Sequence, residues 1–145
     1  MNTHKFFTDE QKLQILKAIN EAEKTTSGEI RLHVEKDCEG DAYERAVKVF
    51  HQLHMHKTKH RNGVLFYLAI GHRKLAIVGD EGIHKKVSDS FWVGVKDHMI
   101  KRFGEGNYAQ GICEGVEVAG KELEKHFPKD SKDKNQLPDE ISFGH

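Results

Sequence analysis

The chain has 145 residues, a length that favours one domain with a real core. Lys plus Arg and Asp plus Glu balance at 23 each, which excludes a global field that would select nucleic acid or an anionic membrane. Two cysteines without metal-type spacing exclude a disulfide framework, and the longest apolar run, Val64 to Ile70, is too short to span a bilayer.

Thr8 opens the first helix, with Gln11 three residues on as a capping box. Leu13, Leu16, Ile19 and Ala22 recur at helical spacing and are expected to face the core. Thr25-Thr26-Ser27-Gly28 ends that helix. Alternation follows, with Ile30, Leu32 and Val34 on one face and Glu29, Arg31, His33 and Glu35 on the other: a strand with one face buried and one face wetted or covered by polar contacts. Asp41 then caps a second helix with Glu44 three residues later, and Ala42, Ala46, Val49, Phe50 and Leu53 form its stripe.

A basic stretch, His54 to Arg61, leads to an Asn62-Gly63 turn. Val64 to Ile70 is continuously apolar and predicts a central strand buried on both faces. Leu75 to Val78 is the next strand, and the short Gly71-His72-Arg73 turn between them implies an antiparallel hairpin. From Ile83 the chain turns helical, with Val87, Phe91, Val95 and Met99 on one stripe. After Gly104-Glu105-Gly106-Asn107 a last helix runs from about Tyr108 to His126, with Ile112, Val116, Ala119 and Leu123 inward. The expected fold is α/β: a three-layer α/β/α sandwich around a small mixed sheet of about four strands, three of them strong in the sequence. The domain spans residues 1–128, followed by a polar tail, 129–145, that wraps the domain or is partly disordered.

Two acidic, glycine-containing turns follow strands. Asp37-Cys38-Glu39-Gly40-Asp41 comes after the first, and Gly79-Asp80-Glu81-Gly82 after the third. If they met at one end of the sheet, Asp37, Glu39, Asp41, Asp80 and Glu81 would form a site for one or two hard cations. Helix capping accounts equally for Asp41 and Asp80. His51, His54, His56 and His60 lie within a basic loop and read as solvated residues near a helix C-terminus. Catalytic motifs are mostly absent. Glu44 stands where a cysteine phosphatase loop starting at Cys38 would need Arg, and Gly115 to Lys121 imitates a phosphate loop inside a helix.

Several strings carry a family resemblance. They are Phe7-Thr8, Ala22 through Arg31 with its Ser27-Gly28-Glu29-Ile30 core, Arg61-Asn62-Gly63-Val64-Leu65, Gly79-Asp80-Glu81-Gly82-Ile83, His126-Phe127-Pro128, and Asn135 through Ile141. Together they resemble the TPM domain family across nearly the whole chain. The resemblance implies an α/β/α sandwich and calcium binding. For plant members it implies photosystem repair and acid phosphatase activity, and for a worm member assistance to a receptor. Many bacterial relatives carry a signal peptide or membrane helix; this chain shows neither and resembles a stand-alone, cytoplasmic version of the domain.

The expected function is divalent-cation binding, calcium first with zinc or magnesium as alternatives, that orders the acidic loops for a regulatory or interaction role. The alternatives are a metal-dependent, acid-phosphatase-like hydrolase of low specificity, in which the ion would polarise the phosphoryl oxygen, and a metal-independent protein interaction module. The expected partner is another protein, with no nucleic acid and no membrane insertion.

Overall fold

A computed structural model describes residues 3–129 and 141–144 of the chain. A short 3-10 turn, Thr3–Lys5, precedes helix α1, Asp9–Glu23. The capping box forms as expected: the Gln11 amide donates to Thr8 Oγ1 at 3.1 Å and the Thr8 amide to Gln11 Oε1 at 3.0 Å. The buried stripe of α1 is turned from the expected one. Ile15, Ile19 and Glu23 are buried, whereas Leu13 is 68 % exposed. The reason is tertiary: α1 lies against a second helix as well as the sheet, and Gly120 and Ala22 approach so closely that a methyl on Gly120 would meet the Ala22 side chain at 2.7 Å.

Strand β1, Glu29–Glu35, leads through helix α2, Ala42–Gln52, to strand β2, Gly63–Ala69. The helical crossover makes β1 and β2 parallel, in the register Glu29 to Gly63 through Glu35 to Ala69. Strand β3, Lys74–Gly79, returns antiparallel to β2, as the short turn requires, pairing Ala69 with Lys74 and Val64 with Gly79. The predicted helix from Ile83 is divided. A single turn, α3, spans Glu81–His84, and α4, Asp89–Gly104, begins after Ser88. Helix α5 spans Tyr108–His126, with Ile112, Val116, Ala119 and Leu123 all fully buried.

The fourth strand is Ile141–Phe143 (β4), which pairs parallel with Leu32–Val34 and completes a mixed sheet of order β3-β2-β1-β4. The far end of the expected tail therefore returns to the domain; the order of residues 130–140 lies outside the described residues. No helix among the described residues is long and apolar enough to cross a membrane.

The two faces of the sheet differ. Ile30, Leu32, Val34, Phe66 and Leu68 pack with α1, α4 and α5 in the larger core. On the other face Leu65, Tyr67, Ala76 and Val78 pack with Ala46, Val49 and Phe50 of α2 and with Met55. β1 contributes no aliphatic residue to this second core. Its Glu29, Arg31, His33 and Glu35 are all buried there, so of the two expected dispositions this polar face is the covered one.

Candidate functional site

The first acidic turn leaves the C-terminal end of β1. Asp41 caps α2, accepting the Glu44 amide at 2.9 Å. The backbone of the turn faces inward: Lys74 Nζ donates to Cys38 O at 2.7 Å and to Gly40 O at 2.8 Å. Two carbonyls thus converge on one cation, supplied by the first residue of β3. The Cys38 amide donates to His72 Nδ1 at 2.8 Å, which ties the turn to the hairpin. Gly71 is required at that crossing. Its amide bonds to Lys36 O at 2.7 Å, and a Cβ there would stand 2.6 Å from the same oxygen. Asp37, Glu39 and Asp41 remain exposed around the turn. The Cys38 thiol is buried, 5 % exposed, and points at Gly40 O at 3.6 Å, a poor disposition for a nucleophile.

Behind the turn lies a buried polar network. The Glu35 carboxylate, 5 % exposed, takes both Arg45 Nε at 3.0 Å and Arg45 Nη2. Tyr67 Oη donates to it at 2.6 Å, and His33 Nε2 stands 3.1 Å away. His33 Nδ1 reaches Ser142 Oγ of β4 at 2.7 Å. Burial alone would raise the Glu35 pKa, but the hydrogen bonds from Arg45, Tyr67 and His33 outweigh it and hold the carboxyl at about 2. Burial, with Glu35 opposite, pushes the Tyr67 hydroxyl up, and burial pulls His33 down. The network fixes the end of β1 from which the turn projects.

The second acidic turn leaves the C-terminal end of β3. Asp80 caps α3, accepting the Glu81 amide at 2.8 Å. Its carboxylate, 7 % exposed, is held in a two-point clasp by Arg61, Nε to Oδ2 at 2.7 Å and Nη2 to Oδ1 at 2.9 Å. Arg61 Nη1 also reaches Glu81 Oε1 at 3.2 Å. Arg61 adopts φ of 50°, a region few non-glycine residues occupy, just before the Asn62-Gly63 turn that starts β2.

The five expected metal-site carboxylates do not meet. The register puts Lys74 opposite Ala69, which pairs with Glu35, so Asp37, Glu39 and Asp41 sit at the C-terminal ends of β1 and β2. Gly79 lies opposite Val64, so Asp80 and Glu81 sit at the N-terminal ends of those strands. A seven-residue strand separates the two turns by about 20 Å. Among the described residues no group of three or more His, Cys, Asp or Glu side chains is disposed to hold a metal ion. The residues that sequence reading missed are the cations, Lys74 and Arg61, and the supporting Glu35, Arg45 and Tyr67.

In the basic loop the rings of His51 and His56 stand 4.7 Å apart and those of His54 and His56 6.4 Å. Partial burial, with His51, Lys57 and Arg61 nearby, lowers the His56 pKa.

The family model of the TPM domain matches residues 1–122. Among solved structures, the BA42 protein of the psychrophilic bacterium Bizionia argentinensis is 46 % identical, with a TM-score of 0.90 and 97 % of each chain covered. The N-terminal domain of a P. gingivalis protein, 21 % identical, aligns with a TM-score of 0.69 over 85 % of this chain and 80 % of its own. The N-terminal domain of the Corynebacterium glutamicum protein cg2496, 13 % identical, aligns at 0.65 over 92 % of this chain and 80 % of its own. These last two share the fold. No curated protein matches the sequence.

Proposed function

We propose, for a chain that belongs to the TPM domain family, that the first acidic turn binds a hard divalent cation, calcium before magnesium or zinc. The bound ion orders the turn for contact with another protein. The observation that carries this reading is the pair of carbonyls, Cys38 O and Gly40 O, aimed at one ammonium, Lys74 Nζ, on a turn whose Asp37 and Glu39 are exposed. Calcium takes six to eight oxygens, carbonyls among them, and tolerates irregular loops. An oxygen-only donor set suits it better than zinc, whose protein sites are built on His nitrogen and Cys sulfur with carboxylate oxygen only beside them. Asp37 and Glu39 would turn inward and Lys74 would leave. The second turn plays no part, because Arg61 already neutralises Asp80 and Glu81.

Calorimetric titration of metal-stripped protein with calcium chloride tests the exchange. The paired substitution Asp37→Asn with Glu39→Gln should abolish the binding heat, and Glu81→Gln should leave it. Lys74→Met removes the competing ammonium and should tighten calcium binding several-fold. Unchanged or weaker binding by Lys74→Met removes the exchange from consideration, and equal heats from the paired variant remove the first turn altogether.

A further inference from the structure

The basic loop after α2 is more tightly built than the solvated segment its sequence implies. α2 ends in a left-handed cap. His54 takes φ of 59°, its amide bonds to His51 O at 3.0 Å, and the Met55 amide bonds to Phe50 O at 3.1 Å. Met55 is fully buried in the core that also holds Phe50, which anchors the cap. The Lys57 amide then bonds to His54 O at 3.0 Å, so the chain doubles back on the last turn of the helix. Glycine is the usual residue at such a cap, because the left-handed conformation costs a residue with a Cβ roughly 1–2 kcal/mol. Here a histidine holds it.

The reversal sets His56 against His51, with ring centroids 4.7 Å apart and planes tilted by 56°. With metal–nitrogen bonds of about 2.0–2.1 Å, two imidazoles at about 90–110° on one ion hold their centroids roughly 4.5–5.3 Å apart, so the pair already has the spacing of shared ligands. The tilt, unlike a parallel stack, allows lone pairs in the two ring planes to converge. His56 Nδ1 is buried and has no hydrogen-bond partner among the described residues. A buried polar atom left so costs about 1–3 kcal/mol, and an ion is one of the few things that would satisfy it. His51 is exposed and can turn to admit one. Lys57 and Arg61 lie near His56 and oppose a cation. Arg61, however, is engaged by Asp80 and Glu81, and the C-terminal end of α2 carries the negative pole of its dipole.

We propose that His51 and His56 form a two-imidazole site for a divalent transition-metal ion of the zinc, nickel and copper class. His56 binds through Nδ1, His51 supplies the second nitrogen, and water fills the remaining positions. The site is therefore open, and smaller than the three-ligand centre that is absent among the described residues. The His54 ring, 6.4 Å from that of His56, stands outside the pair. Imidazole nitrogen suits these ions, copper(II) the most tightly of the three, whereas a hard ion such as calcium wants carboxylate and carbonyl oxygen. The bound ion ties the last turn of α2 to the loop that leads into β2. This site is independent of the calcium reading: the loop enters the N-terminal end of β2, and Asp37 and Glu39 sit at the other end of that strand.

The test is titration of the metal-stripped full chain with zinc chloride, followed by NMR of the histidine rings and by calorimetry. The ring signals of His51 and His56 should shift first and saturably, ahead of the other histidines. His51→Gln and His56→Gln should each weaken zinc binding about tenfold, a loss of about 1.4 kcal/mol. His51→Gln alters an exposed residue and should leave the fold intact, so it decides the matter even if His56→Gln does not fold. Copper chloride should bind more tightly than zinc chloride, and excess calcium chloride should displace neither. The paired substitution Asp37→Asn with Glu39→Gln should leave the zinc affinity unchanged. Shifts spread evenly over all histidines, no saturable shift at millimolar zinc, or unchanged affinity in His51→Gln overturns the proposal. So does loss of zinc binding in the paired acidic variant, which would put the ion at the first turn.

Discussion

Replacing Glu35 by Gln removes the charge at the centre of the buried network while keeping its shape. Glu35 is 5 % exposed, and Arg45, Tyr67 and His33 hold its carboxyl at about 2, against about 4.3 for an unfolded glutamate. The folded pKa lies below the unfolded one, so the carboxylate contributes stability that is complete above about pH 4.3 and is lost as pH falls through about 2. The difference corresponds to about 3 kcal/mol at neutral pH and on the order of 1 kcal/mol at about pH 3. Arg45 is 37 % exposed, so water replaces part of what it loses, and the observed cost of Glu35→Gln at neutral pH should be about 2–3 kcal/mol. Urea denaturation of both proteins across this pH range measures it. Other depressed acids, such as Glu114, which Arg102, His98 and Gln110 hold at about 2, titrate alike in both proteins and cancel in the difference. A gap between the two proteins that stays constant from neutral pH to about pH 3 refutes the reasoning, because it would make the loss one of packing rather than of charge.

Three further outcomes are expected. Burial lowers the His33 pKa, so its unfolded form takes up a proton first; His33→Gln should flatten the loss of stability as pH falls below about 6.5, read by the same denaturation. Arg61→Ala leaves the Asp80 carboxylate, 7 % exposed, without its clasp and should cost about 2 kcal/mol, below the value for a fully buried pair because Arg61 itself is 38 % exposed. Gly82→Ala places a methyl 2.3 Å from His60 O and 2.7 Å from Arg61 O, backbone atoms that cannot swing away, and should lower stability by about 1–3 kcal/mol in thermal unfolding.

Much of the fold was legible where one physical cause dominates. The all-apolar run at Val64 to Ile70 became the fully buried β2, and the period of Ile112, Val116, Ala119 and Leu123 became the inward face of α5. Legibility failed where tertiary contacts compete. Leu13 and Ile15 are both apolar, and only the close approach of α5 at Gly120 decides which of them faces inward. β4 was hidden for a different reason: three residues carry no period, and the parallel partner lies more than a hundred residues away. The polar face of β1 implied either water or covering polar contacts, and only the fold decides between them: Arg45 and Ser142, from two other elements, reach Glu35 and His33 inside the protein.

The separation of the two acidic turns was nonetheless implicit in the sequence. A helix between β1 and β2 makes them parallel, and a short turn between β2 and β3 makes those antiparallel. Together these send the turn after β1 to the hairpin end and the turn after β3 to the opposite end. What no spacing could give is the cation each turn meets. Lys74 begins β3 and Arg61 precedes β2, positions set by register rather than by any local pattern. The zero net charge of the chain is therefore realised partly as local pairing at the Arg61 end of the sheet. The two ends would not be equivalent towards the proposed cation. Arg61 holds Asp80 and Glu81 by their carboxylates, so an incoming ion must compete for the acids themselves. Lys74 holds only carbonyls, and the carboxylates of Asp37 and Glu39 are left to the solvent, where the proposed ion would recruit them without breaking a buried pair.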